Sequence, residues 1–168
     1  MKVQVIGHTG RGRGSGLIRW ATRGRFAHIS LRFIFESKEE MLRMTDMLNI
    51  QFTMDHEIES IQGLGVHHQP FVPSDNQGWF DFKQSPHQSL QILAAAVKLI
   101  GKKYDWRGIF GFATRRNKQN PNKWFCSELA AHCLTCARIR CMIMPAHWIT
   151  PNVMAASPIF TEGQNSEE

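Results

Sequence analysis

A chain of 168 residues with 42% hydrophobic and 20% charged side chains has enough material for one domain with a single core, which excludes a disordered chain and argues against two domains. The formal charge of +6 and the pI near 9.5 suit an anionic polymer or an anionic surface, but composition does not choose between them. All four cysteines fall between positions 126 and 141, which excludes the dispersed framework of a disulfide scaffold and leaves reduced thiols as the expectation.

The opening MKVQVIG is too short for the apolar core of a signal peptide, and no run approaches the length of a membrane span. A cytoplasmic protein is therefore expected. One domain over residues 1–160 is expected, with a flexible tail over 161–168.

KVQVI alternates as a short strand, GHTGRGRGSG is a glycine-rich loop, and SGLIRWATRG has the apolar spacing of a short helix. AHISLRFIF sets His28, Ser30 and Arg32 against Ile29, Leu31 and Phe33, the mark of a strand with two different faces. SKEEMLRMTDML begins with a serine cap and an acidic first turn and predicts a helix. IQFTM, EIESIQ and VHHQPF read as strands, with GLG as a turn, and SDNQGWFDFKQ reads as irregular.

In PHQSLQILAAAVKLIG, Ser85 caps, Pro86 takes the first helical position and Gly101 closes the helix. Residues 104–113 read as a loop and a short helix, and TRRNKQNPNK as an exposed basic loop. A further helix starts at Cys126 and runs to about residue 138 or 140. Strands early and the strongest helices late predict an α+β class, an antiparallel sheet packed against helices.

The glycine-rich loop lacks the GK[ST] of a P-loop and the spacing of a dinucleotide fingerprint, so nucleotide binding is not expected. Cys133 and Cys136 form a single CxxC without a second pair, which leaves a structural zinc site short of ligands; they read as core filler. Cys126 differs, because it stands at the start of a helix, where the field of the unpaired N–H groups favours an anionic side chain and makes a thiol a better nucleophile. His28 opens a strand with apolar neighbours after a glycine-rich turn, a place for a general base.

These pieces occur in an order that resembles the circularly permuted branch of the NlpC-type, papain-like cysteine hydrolases, the group that includes YiiX/YebB-like proteins. RFAHISLRF resembles the histidine strand, EIESIQGLGV the following strand, turn and strand, IGKKYDWRGIFGF the glycine and tyrosine segment, WFCSELA the cysteine helix, and WITPNVMAASPIF the closing segment. The resemblance implies a papain-like α+β fold with Cys126 as nucleophile, His28 as general base and Glu59 as the residue that orients the imidazole; Glu57, two residues away on the same face, is the alternative. It also implies that Tyr104, with the backbone N–H of Cys126, donates to an oxyanion.

No metal or other cofactor is implied. The substrate would carry an amide or ester carbonyl: a peptide, an amide or a lipid acyl chain, since lecithin:retinol acyltransferase relatives share the permuted order. The rival expectation is a noncatalytic module of the same fold that binds an anionic polymer or a membrane surface, with no specific nucleic acid. Its basic loops would carry Arg11, Arg13, Arg19, Arg23 and Arg25 with Trp20, and Trp79, Phe80 and Phe82 would be exposed aromatics for an interface.

Overall fold

The computed structural model describes residues 1–10, 16, 19, 24–105 and 120–163. Most of the helix expected over 15–24, most of the segment 104–113, most of the basic loop over 114–123, the tail from 164, and Arg11, Arg13, Trp20 and Arg23 lie outside the described residues.

Strands β1 (Lys2–His8), β2 (His28–Ile34), β3 (Asp55–Ile61), β4 (Gly65–Pro70), β5 (Gln77–Asp81) and β8 (Thr161–Glu162) form one antiparallel sheet in the order β4-β3-β2-β1-β5-β8. The short strands β6 (Lys103–Tyr104) and β7 (Lys123–Trp124) pair in parallel. Helices α1 (Lys38–Leu48), α2 (Pro86–Val97), α3 (Cys126–Cys136) and α4 (Pro151–Ala155) complete the α+β fold, with a 3-10 turn at Ala146–Trp148.

The helix signals act as expected. Ser37 Oγ accepts from the Glu40 N–H at the start of α1, and Asn49 ends that helix in the left-handed region with φ 53°. Ser85 and Gln88 form a reciprocal capping box at the start of α2. This helix ends at Val97, and turns carry the chain on to Gly101 at φ 85°. Helix α3 stops at Cys136, with Arg138 at φ 59°, two to four residues short of the expected end at 138 or 140.

Three sequence expectations change. Residues 50–54 are not a strand: Thr53 turns back on itself locally, its hydroxyl donating to the Asp55 carbonyl and its N–H to His56 Nδ1. Gln77–Asp81, read as irregular, is a strand because β1 supplies a ladder partner, Val5 opposite Phe80 and Ile6 opposite Trp79. Thr161–Glu162, read as the start of the tail, pair with Phe80 and Asp81.

The sheet has two unlike faces. Val3, Val5, Ile29, Leu31, Phe33 and Ile58 join Leu129, Ala130, Cys133 and Leu134 of α3 in one buried core. Small residues on that helix allow its close approach, and burying side chains of the size of Leu134 and Phe33 contributes about 1.5–3 kcal/mol each. Phe80 and Phe82 are also core, 7% and 9% exposed, packed edge-on or tilted against Phe26 and Phe160. They are therefore not interface aromatics.

The alternate positions, Gln4, His8, His28, Ser30, Arg32, Glu57 and Glu59, form a second face that is polar yet buried. Curvature explains the burial. The rings of Phe71, just after β4, and Trp79 of β5 lie 5.5 Å apart although three strands separate them, and Arg32 stacks on both at 4.3 and 5.0 Å. In a flat sheet four strand spacings would put those backbones roughly 19 Å apart. The sheet thus coils around its polar face.

Candidate active site

Three local devices bring the site together. Cys126 is the first residue of α3, with Phe125 before it in extended backbone (φ −84°, ψ 156°), so the sulfur sits in the N-terminal field of the helix. Ser60 Oγ donates to the Trp124 carbonyl at 2.7 Å, fixing the approach to the helix against β3. Asn152, at the start of α4, brackets Phe26: its Oδ1 accepts from the Phe26 N–H at 2.8 Å and its Nδ2 donates to the Phe26 carbonyl at 2.9 Å. A side chain at Gly24 would meet Asn152 at 2.1 Å, so glycine is required for this bracket. Together with the bond from the Ala27 N–H to the His8 carbonyl, the bracket sets the entry into β2 and thereby His28.

His28 Nε2 lies 2.5 Å from Glu59 Oε2, and the same ring is hydrogen-bonded to the Cys126 thiol. Cys126 and Glu59 are 0% exposed and His28 4%. Burial alone would push the His28 pKa down; the charge and hydrogen bond of Cys126, followed by those of Glu59, outweigh it and raise the pKa to about 10. Glu59 is held in turn: Gln69 Nε2 donates to its Oε1 at 3.0 Å, and His67 Nε2 lies 3.4 Å from the same oxygen.

Tyr104 packs with Ala27, Phe125 and Cys126, its ring 5.7 Å from that of Phe125. Burial, then Cys126 and Asp105, hold its phenol far above the usual range, so it is a hydrogen-bond donor. The four residues singled out from the sequence, Cys126, His28, Glu59 and Tyr104, therefore occupy one place.

Glu57, the alternative to Glu59, faces a different partner. Its Oε1 lies 3.3 Å from His8 Nε2, and its Oε2 accepts from Gln69 Nε2 at 3.0 Å. His8 also meets Ser30 Oγ at 2.8 Å and lines a cavity of about 220 Å³ with Gly10, Val72, Ser74, Asn76 and Gln77. His8 was not among the residues singled out from the sequence. Its place in strand alternation, and a register that sets it directly opposite His28, were the available signals. Asn152 and Gln69 gave no comparable signal.

The other cysteines are separate from this site. Cys133 is 0% exposed in the core and Cys136 is exposed, its sulfur 3.5 Å from His132 Nε2. Burial raises the pKa of Cys133 and of Cys141.

The antiparallel sheet and the helices packed on it make an α+β fold of the YiiX type. Among solved structures, the YiiX protein of Escherichia coli O157:H7, described as a metalloprotein and as DUF1105, matches with a TM-score of 0.69 at 13% identity over 99% of this chain and 97% of that one. At that identity the likeness shows the fold alone. No family model and no curated protein matches the chain. Among the described residues, no helix is long and apolar enough to cross a membrane.

Proposed function

We propose that the protein is a cysteine hydrolase or acyltransferase of the circularly permuted NlpC type, working through a thioacyl-enzyme. The observation that carries this reading is a single buried imidazole that interacts with both a buried carboxylate and the thiol that begins a helix. A unit of this kind needs nucleophile, base and orienting acid near one another, and the partners of His28 support that reading.

In this reading the Cys126 sulfur attacks the carbonyl carbon of an amide or ester. His28 holds the thiol proton as imidazolium, with Glu59 as its counter-charge, and then delivers that proton to the departing amine or alcohol. The Cys126 backbone N–H and the Tyr104 hydroxyl donate to the oxyanion. Water, or a second nucleophile in the acyltransferase case, attacks the thioester and returns the sulfur to the thiol.

The substrate is a peptide, an amide or a lipid acyl compound. The decisive experiment is turnover of peptide, amide and acyl-ester panels by wild type and Cys126→Ala, with trapping of the acyl group on Cys126 by mass spectrometry. Activity that survives in Cys126→Ala removes the proposal.

The Escherichia coli neighbour is described as a metalloprotein, which raises the same question for this chain. Its donor set would be His8, His28 and Glu59, nitrogen and oxygen ligands of the kind zinc takes. A bound ion there would act as a Lewis acid, and no step above passes through one.

A further inference from the structure

The register of β1 and β2 sets His8 directly opposite His28, with their rings 5.3 Å apart. One ring nitrogen of each and a carboxylate oxygen of Glu59 lie within 4.8 Å of one another, and all three residues are buried. Two imidazoles and a carboxylate are the donors chosen by zinc and neighbouring first-row divalent ions, whereas magnesium and calcium take oxygen. The Cys126 sulfur is not in the set.

Charge points the same way. Glu57 and Glu59 are both 0% exposed, and Gln69 Nε2 spans them at 3.0 Å each. A dication between neutral imidazoles would balance both carboxylates where charge is otherwise costly to bury. Gln69 and His67 would remain as the outer support that orients a metal-binding carboxylate.

We propose that His8, His28 and Glu59 bind one zinc-class divalent cation, and that occupancy of this site and thiol chemistry at Cys126 exclude one another. The exclusion follows from atoms with two uses. His28 Nε2 and Glu59 Oε2 are in direct contact at 2.5 Å; a nitrogen and an oxygen that share a cation at about 2.1 Å each stand roughly 3 Å apart. Loading the site therefore breaks the bond that orients the base, through a movement of less than an ångström. The cation site rests on donor geometry; its inhibitory consequence rests on the proposed thiol chemistry.

The test uses the full chain stripped with a chelator, then titrated with zinc against a chromophoric competitor. One equivalent should bind; His8→Ala should weaken binding at least about tenfold, since losing even an outer-shell partner costs that much; and Cys126→Ala should bind as wild type does. X-ray absorption of the zinc-loaded wild type, which needs no variant to fold, should show two imidazoles and no sulfur near about 2.3 Å. Labelling of Cys126 by iodoacetamide should change on zinc loading in wild type and not in His8→Ala.

Absence of zinc binding, unchanged affinity in His8→Ala, or sulfur in the zinc shell would overturn the site. Thioester chemistry that proceeds undiminished with the site full would overturn the exclusion, as would zinc-dependent turnover by Cys126→Ala. Because binding and absorption are read without a substrate, failure of the hydrolase proposal leaves the cation site standing, and the converse holds too.

Discussion

Ser60 Oγ donates to the Trp124 carbonyl across 2.7 Å, and this bond joins the strand that carries Glu59 to the residues that lead into the helix of Cys126. It sets two functional side chains from distant parts of the chain in fixed relation. Ser60 itself faces away from Glu59 on the strand and touches none of the reacting groups, so it is a positioning residue. Ser60→Ala removes one of two donors to the Trp124 carbonyl, which keeps the Asp105 N–H at 3.2 Å, and should cost about 0.5–1.5 kcal/mol. If placement of the helix start matters to the chemistry, kcat should fall with KM little changed, while Ser60→Thr, which keeps the hydroxyl, should recover most of both. Denaturant unfolding and steady-state kinetics read the two effects separately.

The proposed roles order the loss of activity. Cys126→Ala and His28→Ala should each lower turnover at least about a thousandfold, because members of a nucleophile–base unit fail together and their effects do not add. Glu59→Gln should be about a hundredfold less damaging, since nucleophile and base remain. Glu57→Gln, which faces His8 rather than His28, should be milder again. Charge reversal at Arg19 and Arg25 should change affinity for anionic polymers or vesicles and its salt dependence, with the chemical step spared. A binding defect confined to the arginine variants, with no substrate turned over, favours the noncatalytic binding module.

Thiol labelling separates activation from access. Cys126 and Cys133 are both 0% exposed, but Cys126 begins a helix and interacts with His28, the setting in which thiols are reactive. Cys133 and Cys141 instead have their pKa values raised by burial. Cys136 is exposed and labels through access alone, so it is best replaced by serine in the test protein. At pH 6, iodoacetamide should then modify Cys126 well before Cys133 and Cys141 in peptide maps. Equal labelling of the three would remove the argument for an activated thiol.

The site was more legible in the sequence than parts of its frame. Cys126 and His28 stand at positions with a local signature, a helix start and the first residue of an alternating strand, whereas Glu59 was implied only by the family resemblance, with Glu57 as its alternative. Strand β5 could not be read, since Gly78 and Asp81 are poor local strand formers and only pairing with β1 orders them. Phe80 and Phe82 looked like surface aromatics for the same reason: their burial is set by Phe26 and Phe160, which are remote in the chain. The choice between Glu59 and Glu57 is a matter of register. Both lie on one face, and pairing places Glu59 beside Ser30 but Glu57 beside Arg32, one step further from His28.

Glu128, in the first turn of the cysteine helix, gives a pH-dependent test that involves none of the reacting groups. Its Oε2 accepts from the Phe125 N–H at 3.3 Å, while its Oε1, buried, has no hydrogen-bond partner among the described residues. Burial, with the charge of Asp105 adding and the Phe125 N–H opposing, raises its pKa from an ordinary 4.5 to about 7. Since the folded pKa lies above the unfolded one, the protonated form is favoured by folding. Stability from this group is fully present below pH 4.5 and is lost as pH rises through 7. At pH 8 the buried carboxylate then destabilises the fold by roughly 3 kcal/mol, the free energy equivalent of that displacement. Glu128→Gln keeps an oxygen for the Phe125 N–H and removes the charge. It should match wild type near pH 4, exceed it in stability at pH 8, and flatten the intervening fall in denaturation midpoint. An equal difference between the two proteins at both pH values would mean that the charge of Glu128 is not what destabilises the fold at this helix start.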